Sequence, residues 1–127
     1  MELTEYVALM PDMKNTGANT PLDVSLAENE LGLSFADEYA HLLKTYGAVC
    51  VKGHDINGLT ESEILSVIDM TRKARLNARI PDNMYVVENL GVEDIMILQN
   101  SAGEVFECRE SSISRIADSL LDYLRFN

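Results

Sequence analysis

Three short apolar runs, Met84-Tyr85-Val86-Val87-Glu88, Ile95-Met96-Ile97-Leu98-Gln99 and Glu104-Val105-Phe106-Glu107-Cys108, follow one another with only Asn89 to Asp94 and Asn100 to Gly103 between them. Connections this short cannot return the chain across a sheet to start a parallel neighbour, which takes a crossover of a dozen or more residues. The runs therefore predict an antiparallel meander. The third run mixes apolar and acidic residues, and the Asn100-Ser101-Ala102-Gly103 turn before it fits a hairpin.

Helical patterns flank this block. The segment after Pro21 places Val24, Ala27 and Leu31 on one side, and Gly32 closes it as a left-handed cap. From about 36 to 46 a second helix carries Asp37 and Glu38 in its first turn, where they complement the dipole, and turns Phe35, Tyr39, Leu42, Leu43 and Tyr46 to a core. Gly47 stops it, and Ala48-Val49-Cys50-Val51-Lys52 reads as a strand. Thr60-Glu61-Ser62-Glu63 has the form of a capping box, predicting a helix from Thr60 with Ile64, Val67, Ile68, Thr71 and Ala74 inward. Ile113, Ile116, Ala117, Leu120, Leu121 and Leu124 predict a last helix over about 112 to 125. Residues 2 to 10 suit a short first helix, and 11 to 20 read as a flexible surface loop. The expectation is a single α+β domain over 1–127, a mainly antiparallel sheet with a meander in its second half and about four helices around it.

Charge narrows the function. The 127 residues hold 21 Asp and Glu against 10 Lys and Arg, a net charge of −11. Phosphate backbones are held by clustered cations, so nucleic acid is not the expected ligand. A basic protein fits better, because complementary fields raise encounter rates. The competing reading of such acidity is solubility alone. There is no run of about 20 apolar residues and no signal-peptide pattern after Met1, so the expectation is a cytoplasmic protein that does not meet the membrane. Cys50 and Cys108, far apart in apolar strand-like contexts, read as buried thiols rather than a disulfide or zinc site.

Catalysis leaves constellations of residues, and the common ones are missing: no nucleophile elbow, P-loop, dinucleotide fingerprint or metal-spaced histidine pair. No catalytic residue, metal or cofactor is expected. His54 in Gly53-His54-Asp55-Ile56-Asn57-Gly58 is the one tempting group, yet neighbours on an extended segment point to opposite sides, so His54 and Asp55 need not meet. Asp55, Glu88, Glu93, Asp94, Glu104 and Glu107 fall on loops or strand edges of the expected sheet. They are the candidate partner-binding residues, as one acidic surface; a solvated polar face is the plainer reading of each. Tyr85, Phe106 and Tyr123 could anchor a partner among them, though the core suits each better.

The most specific segment is Glu28-Asn29-Glu30-Leu31-Gly32-Leu33-Ser34-Phe35-Ala36-Asp37-Glu38-Tyr39-Ala40-His41-Leu42-Leu43-Lys44-Thr45-Tyr46-Gly47. It resembles the signature of the SUKH superfamily, named in part for the Smi/Knr cell-wall-synthesis regulators: an acid, Leu-Gly, an apolar residue and proline, an aromatic, an apolar helix and Tyr-Gly. Ala36 stands where the proline usually does, a mild departure, since proline there would sit in the first helical turn, where its missing N–H costs little. The resemblance continues through Asp55-Ile56-Asn57-Gly58-Leu59, the Tyr85 to Asn89 strand with Gly91, Ile97-Leu98, Gly103-Glu104-Val105-Phe106 and the final amphipathic segment, covering about 22–125. It implies a non-enzymatic α+β domain. Many bacterial relatives look like immunity proteins that bind and neutralise a cognate polymorphic toxin, often a nuclease or deaminase. The alternative it implies is a regulatory or scaffold module with an endogenous partner. Neither oligomeric state nor toxin identity can be read from the residues.

Overall fold

The meander forms, and with one more strand than its three apolar runs predict. The computed structural model describes residues 1–92 and 94–126, and its elements run α1 (Leu3–Leu9), β1 (Lys14–Asn15), α2 (Pro21–Leu31), α3 (Asp37–Thr45), β2 (Val49–Val51), β3 (His54–Ile56), α4 (Val67–Asn77), β4 (Met84–Asn89), β5 (Ile95–Asn100), β6 (Val105–Arg109), β7 (Ser112–Ala117) and α5 (Leu120–Phe126). Strands β4 to β7 make one antiparallel sheet in sequence order, and β1, β2 and β3 a smaller antiparallel sheet. The Asn57 N–H bonds the Val87 carbonyl at 2.7 Å and its side-chain amide the Val86 carbonyl at 3.1 Å, which ties the end of β3 to β4.

Two apolar clusters hold the layers. The larger lies between α1, α2, α3 and α5 and the sheet face carrying Tyr85, Val87, Ile97 and Val105. The smaller sits on the opposite face, where Met70, Ala74 and Ile80 meet Val86, Leu98 and Cys108. Phe35, Tyr39 and Tyr85 form the aromatic centre of the first, with centroids 4.8 to 5.2 Å apart, the spacing of favourable ring pairs. Gly47, at φ 75°, ends α3 where a Cβ would collide with the Gly17 carbonyl.

Two helices begin later than their patterns predict. The Thr60 hydroxyl accepts from Ser62 N–H in a local turn, while Ser66 is the residue that caps α4, through Asp69 N–H at 3.1 Å. Residues 59 to 65 form a loop closed on Gly58, whose N–H bonds the Leu65 carbonyl, and Ile64 is 76% exposed instead of buried. At the other end, residues 112 to 117 are β7, and only Leu120–Phe126 is helical. Glu110 and Ser111 both take positive φ, 50° and 71°, the geometry of a tight two-residue hairpin between Arg109 and Ser112. Ile116 is bulged between Arg115 and Ala117, so Ile113 and Ile116 stand three apart on a strand and imitate a helical period.

The segment read as a flexible loop is tied down in part. Lys14–Asn15 pairs with β2, Thr16 N–H bonds the Ala48 carbonyl, and Asn19 N–H bonds the Leu43 carbonyl.

Candidate binding surface

The five candidate acids among the described residues do not form one exposed surface. Asp55 is exposed on β3 and accepts from the Cys50 thiol at 2.9 Å. Asp94 is exposed in the β4–β5 turn, whereas Glu104 stands at the far end of β5 and β6, bonded to Asn100 and 3.3 Å from Arg115. Glu107 is half-buried and 3.7 Å from Arg109. Glu93 lies outside the described residues.

Glu88 must be withdrawn from the surface. It is 3% exposed and sits at a junction of three elements. One oxygen accepts the Tyr123 hydroxyl of α5 at 2.6 Å, and both lie within 3.1 Å of His54 Nδ1 on β3. The cause is a bulge: β4 shifts register between Val86 and Glu88, leaving Val87 without a partner on β5. Tyr85 and Val87 already face the larger core, and simple alternation would send Glu88 to the other side. The extra residue turns it back beside Ile97 on the inner face. Burial, then the bond to Glu88, pushes the Tyr123 hydroxyl far above its usual range, so it stays a donor. None of the five principal cavities is lined by His54, Glu88 or Tyr123. Tyr123 and Tyr85 belong to the core, and Phe106 is half-buried against the smaller cluster.

A second inward network passes through the Glu28 to Gly47 segment. Glu28 accepts the Phe35 N–H at 2.8 Å and closes the turn between α2 and α3. The Ala36 N–H donates to Tyr85 Oη at 2.9 Å, and that hydroxyl donates to Gln99 Oε1 at 2.8 Å. Gln99 in turn donates to Glu38 at 2.7 Å and to the Gly103 carbonyl. Glu38 also accepts the Leu120 and Leu121 N–H groups at 2.6 and 3.2 Å, fixing the start of α5. Ala36 is thus the cap residue before α3, with its N–H committed to a buried partner. Proline here would not be the neutral exchange its expected place in the first turn implied. The sequence places Glu38 in the first turn of its helix but does not reveal its bonds to Gln99 and α5; a lone Gln at the end of an apolar strand is the only sign of this relay.

Both networks turn carboxylates to internal donors, and among the described residues no group of three or more His, Cys, Asp and Glu is placed to hold a metal ion. Nor is any described helix long and apolar enough to cross a membrane. Both cysteines are free, Cys108 buried and Cys50 half-buried. Fold and polar bookkeeping together define a small acidic α+β domain that uses part of its carboxylates as internal braces and carries the rest outside. Residues 22–124 match the family profile described as SMI1-KNR4 cell-wall, SUKH_6, and the chain belongs to that family. No curated protein compared with the chain is a match.

Proposed function

We infer that this protein is a cytoplasmic immunity protein that neutralises a cognate polymorphic toxin by covering its working surface, without catalysis of its own. The observation that carries the reading is a family match running through 22–124 in a chain of net charge −11. A toxin directed at nucleic acid needs a basic surface to hold phosphates, and an acidic domain can occupy that surface in the substrate's place. Occlusion needs about 800 Å² per partner with a few apolar anchors among the charges, out of an accessible surface of 6684 Å².

The test is co-expression with the toxin domain encoded beside the gene. Restored growth and a stoichiometric complex on co-purification are the expected results. Absence of both sinks the proposal.

A further inference from the structure

Helix α2 carries leucines on two sides, and packing accounts for only one. Val24, Ala27 and Leu31 are buried, whereas Leu22 and Leu26, four apart and hence on one face, are 66% and 51% exposed. Across from them runs the 59–66 loop with its exposed Ile64. Between helix and loop lies a groove of about 400 Å³, with Leu26, Leu59 and Ile68 among its apolar lining and Asp23, Glu30 and Glu61 among its polar lining. No Lys or Arg lines it. Arg72 reaches Glu30 from α4 at 3.2 Å, and Asp23 uses one oxygen on Thr20 N–H in the helix cap. Glu61 is exposed, and among the described residues no hydrogen bond or ion pair holds it.

We propose that this groove is the docking site for a protein segment that presents apolar side chains flanked by Lys or Arg. Exposed Leu26 with half-buried Leu59 and Ile68 gives the groove the apolar lining of an interaction surface, and the acids around these fix the sign of the partner. A second copy of this chain is the wrong occupant, since it would set acids against acids. The proposal deepens the immunity reading and takes from it the toxin as the source of the segment. It also moves the contact from the sheet acids to α2 and the loop opposite.

Two synthetic peptides of equal length probe the site, one an amphipathic leucine–lysine helix, the other with serine for every leucine. Titrated into the ¹⁵N-labelled chain, the first should shift amides of α2 and residues 59–66 and bind at least ~10-fold more tightly than the second. Leu26→Lys and Glu61→Lys should each weaken it by ~5- to 10-fold, while Glu110→Lys, an equal charge change at the β6–β7 turn, should stay within ~2-fold. Shifts elsewhere, equal binding of the two peptides, or equal losses from Glu61→Lys and Glu110→Lys would overturn the proposal. Because both altered side chains are exposed, unchanged urea midpoints should show that the variants fold.

Co-expression with the neighbouring toxin keeps the two readings apart. Rescue by the native chain and not by the Leu26→Lys, Glu61→Lys double variant supports the groove. Rescue by both discards the groove and leaves the immunity function standing. Failure of the native chain discards the immunity reading, and the peptide titration alone then decides the groove.

Discussion

The junction of β3, β4 and α5 and the loop from residue 59 to 66 treat a glutamate in opposite ways. At the junction a strand bulge turns Glu88 inward, and its carboxylate becomes the common acceptor of Tyr123 and His54. In the loop, the chain between Gly58 and Ser66 bends outward, and Glu61 is left in solvent beside exposed Ile64. The side chains are identical; the backbone decides whether the charge braces the fold or meets a partner. Acidity counted along the chain therefore overstates what is available outside, because Glu28, Glu38 and Glu88 are already committed.

The hardest blow to this contrast falls at Glu88. Glu88→Ala leaves the Tyr123 hydroxyl and His54 without their common acceptor in a buried space, and the expected loss is about 3 kcal/mol in urea unfolding. Glu88→Gln keeps an acceptor for Tyr123 and should cost about half as much. A loss under about 1 kcal/mol for the alanine variant would mean that the inward carboxylate is no brace.

Next in size is Ala36→Pro. The backbone at Ala36, φ −60° and ψ 148°, already suits proline, so strain is not the issue. The loss is the N–H that Tyr85 Oη accepts, which leaves one acceptor of a buried hydroxyl unsatisfied, and about 2 kcal/mol of destabilisation should follow. An unchanged or raised midpoint would show that Tyr85 finds another donor and that the relay to Gln99 is dispensable.

These two sites also mark how far the sequence could be read. The α2 and α3 helices are legible because period and terminal residues agree, and β4, β5 and β6 because each is a short apolar run bounded by turn residues. The sequence alone puts Glu88 outside because a bulge leaves no signature in composition, and one extra residue reverses every facing after it. β7 looks helical in sequence for a related reason: its hairpin turn is Glu110-Ser111, without the Asn or Gly that announces positive φ, and the bulge at Ile116 breaks its alternation. Thr60-Glu61-Ser62-Glu63 and Ser66-Val67-Ile68-Asp69 both offer an N-terminal cap, and local chemistry cannot choose between them. Gly58 chooses, by bonding Leu65 and Val67 and holding the intervening residues as a loop. The groove beside α2 follows from that choice, so it was invisible while Thr60 began the helix.

Asp55 lies between the two extremes, an exposed carboxylate that still serves a neighbour. Its bond from Cys50 Sγ, aided by partial burial, pushes the thiol up to about 11 from an ordinary 9.0. At pH 8 the thiolate should be about 100-fold scarcer than for a free cysteine, with alkylation of Cys50 slowed in proportion. Asp55→Asn should speed that alkylation by at least about 10-fold, followed by mass spectrometry. The linkage has a definite sign. The folded thiol binds its proton more tightly than the unfolded one, so its contribution to stability is complete below about pH 9 and disappears as pH rises through about 11. Equal alkylation rates in the native and Asp55→Asn chains would break the assignment.

The smallest effect on stability is expected at Glu61, and its smallness is informative. Glu61→Lys removes no internal bond and reduces repulsion within a chain of net charge −11, so the urea midpoint should move by no more than the equivalent of about 0.5 kcal/mol, in either direction. Set beside about 3 kcal/mol at Glu88, that contrast separates carboxylates that brace from carboxylates left for a partner. A loss near 2 kcal/mol at Glu61 would place this acid too in the internal framework. The 59–66 loop would then be a strut of the fold, and its exposed Ile64 would need an explanation other than recognition.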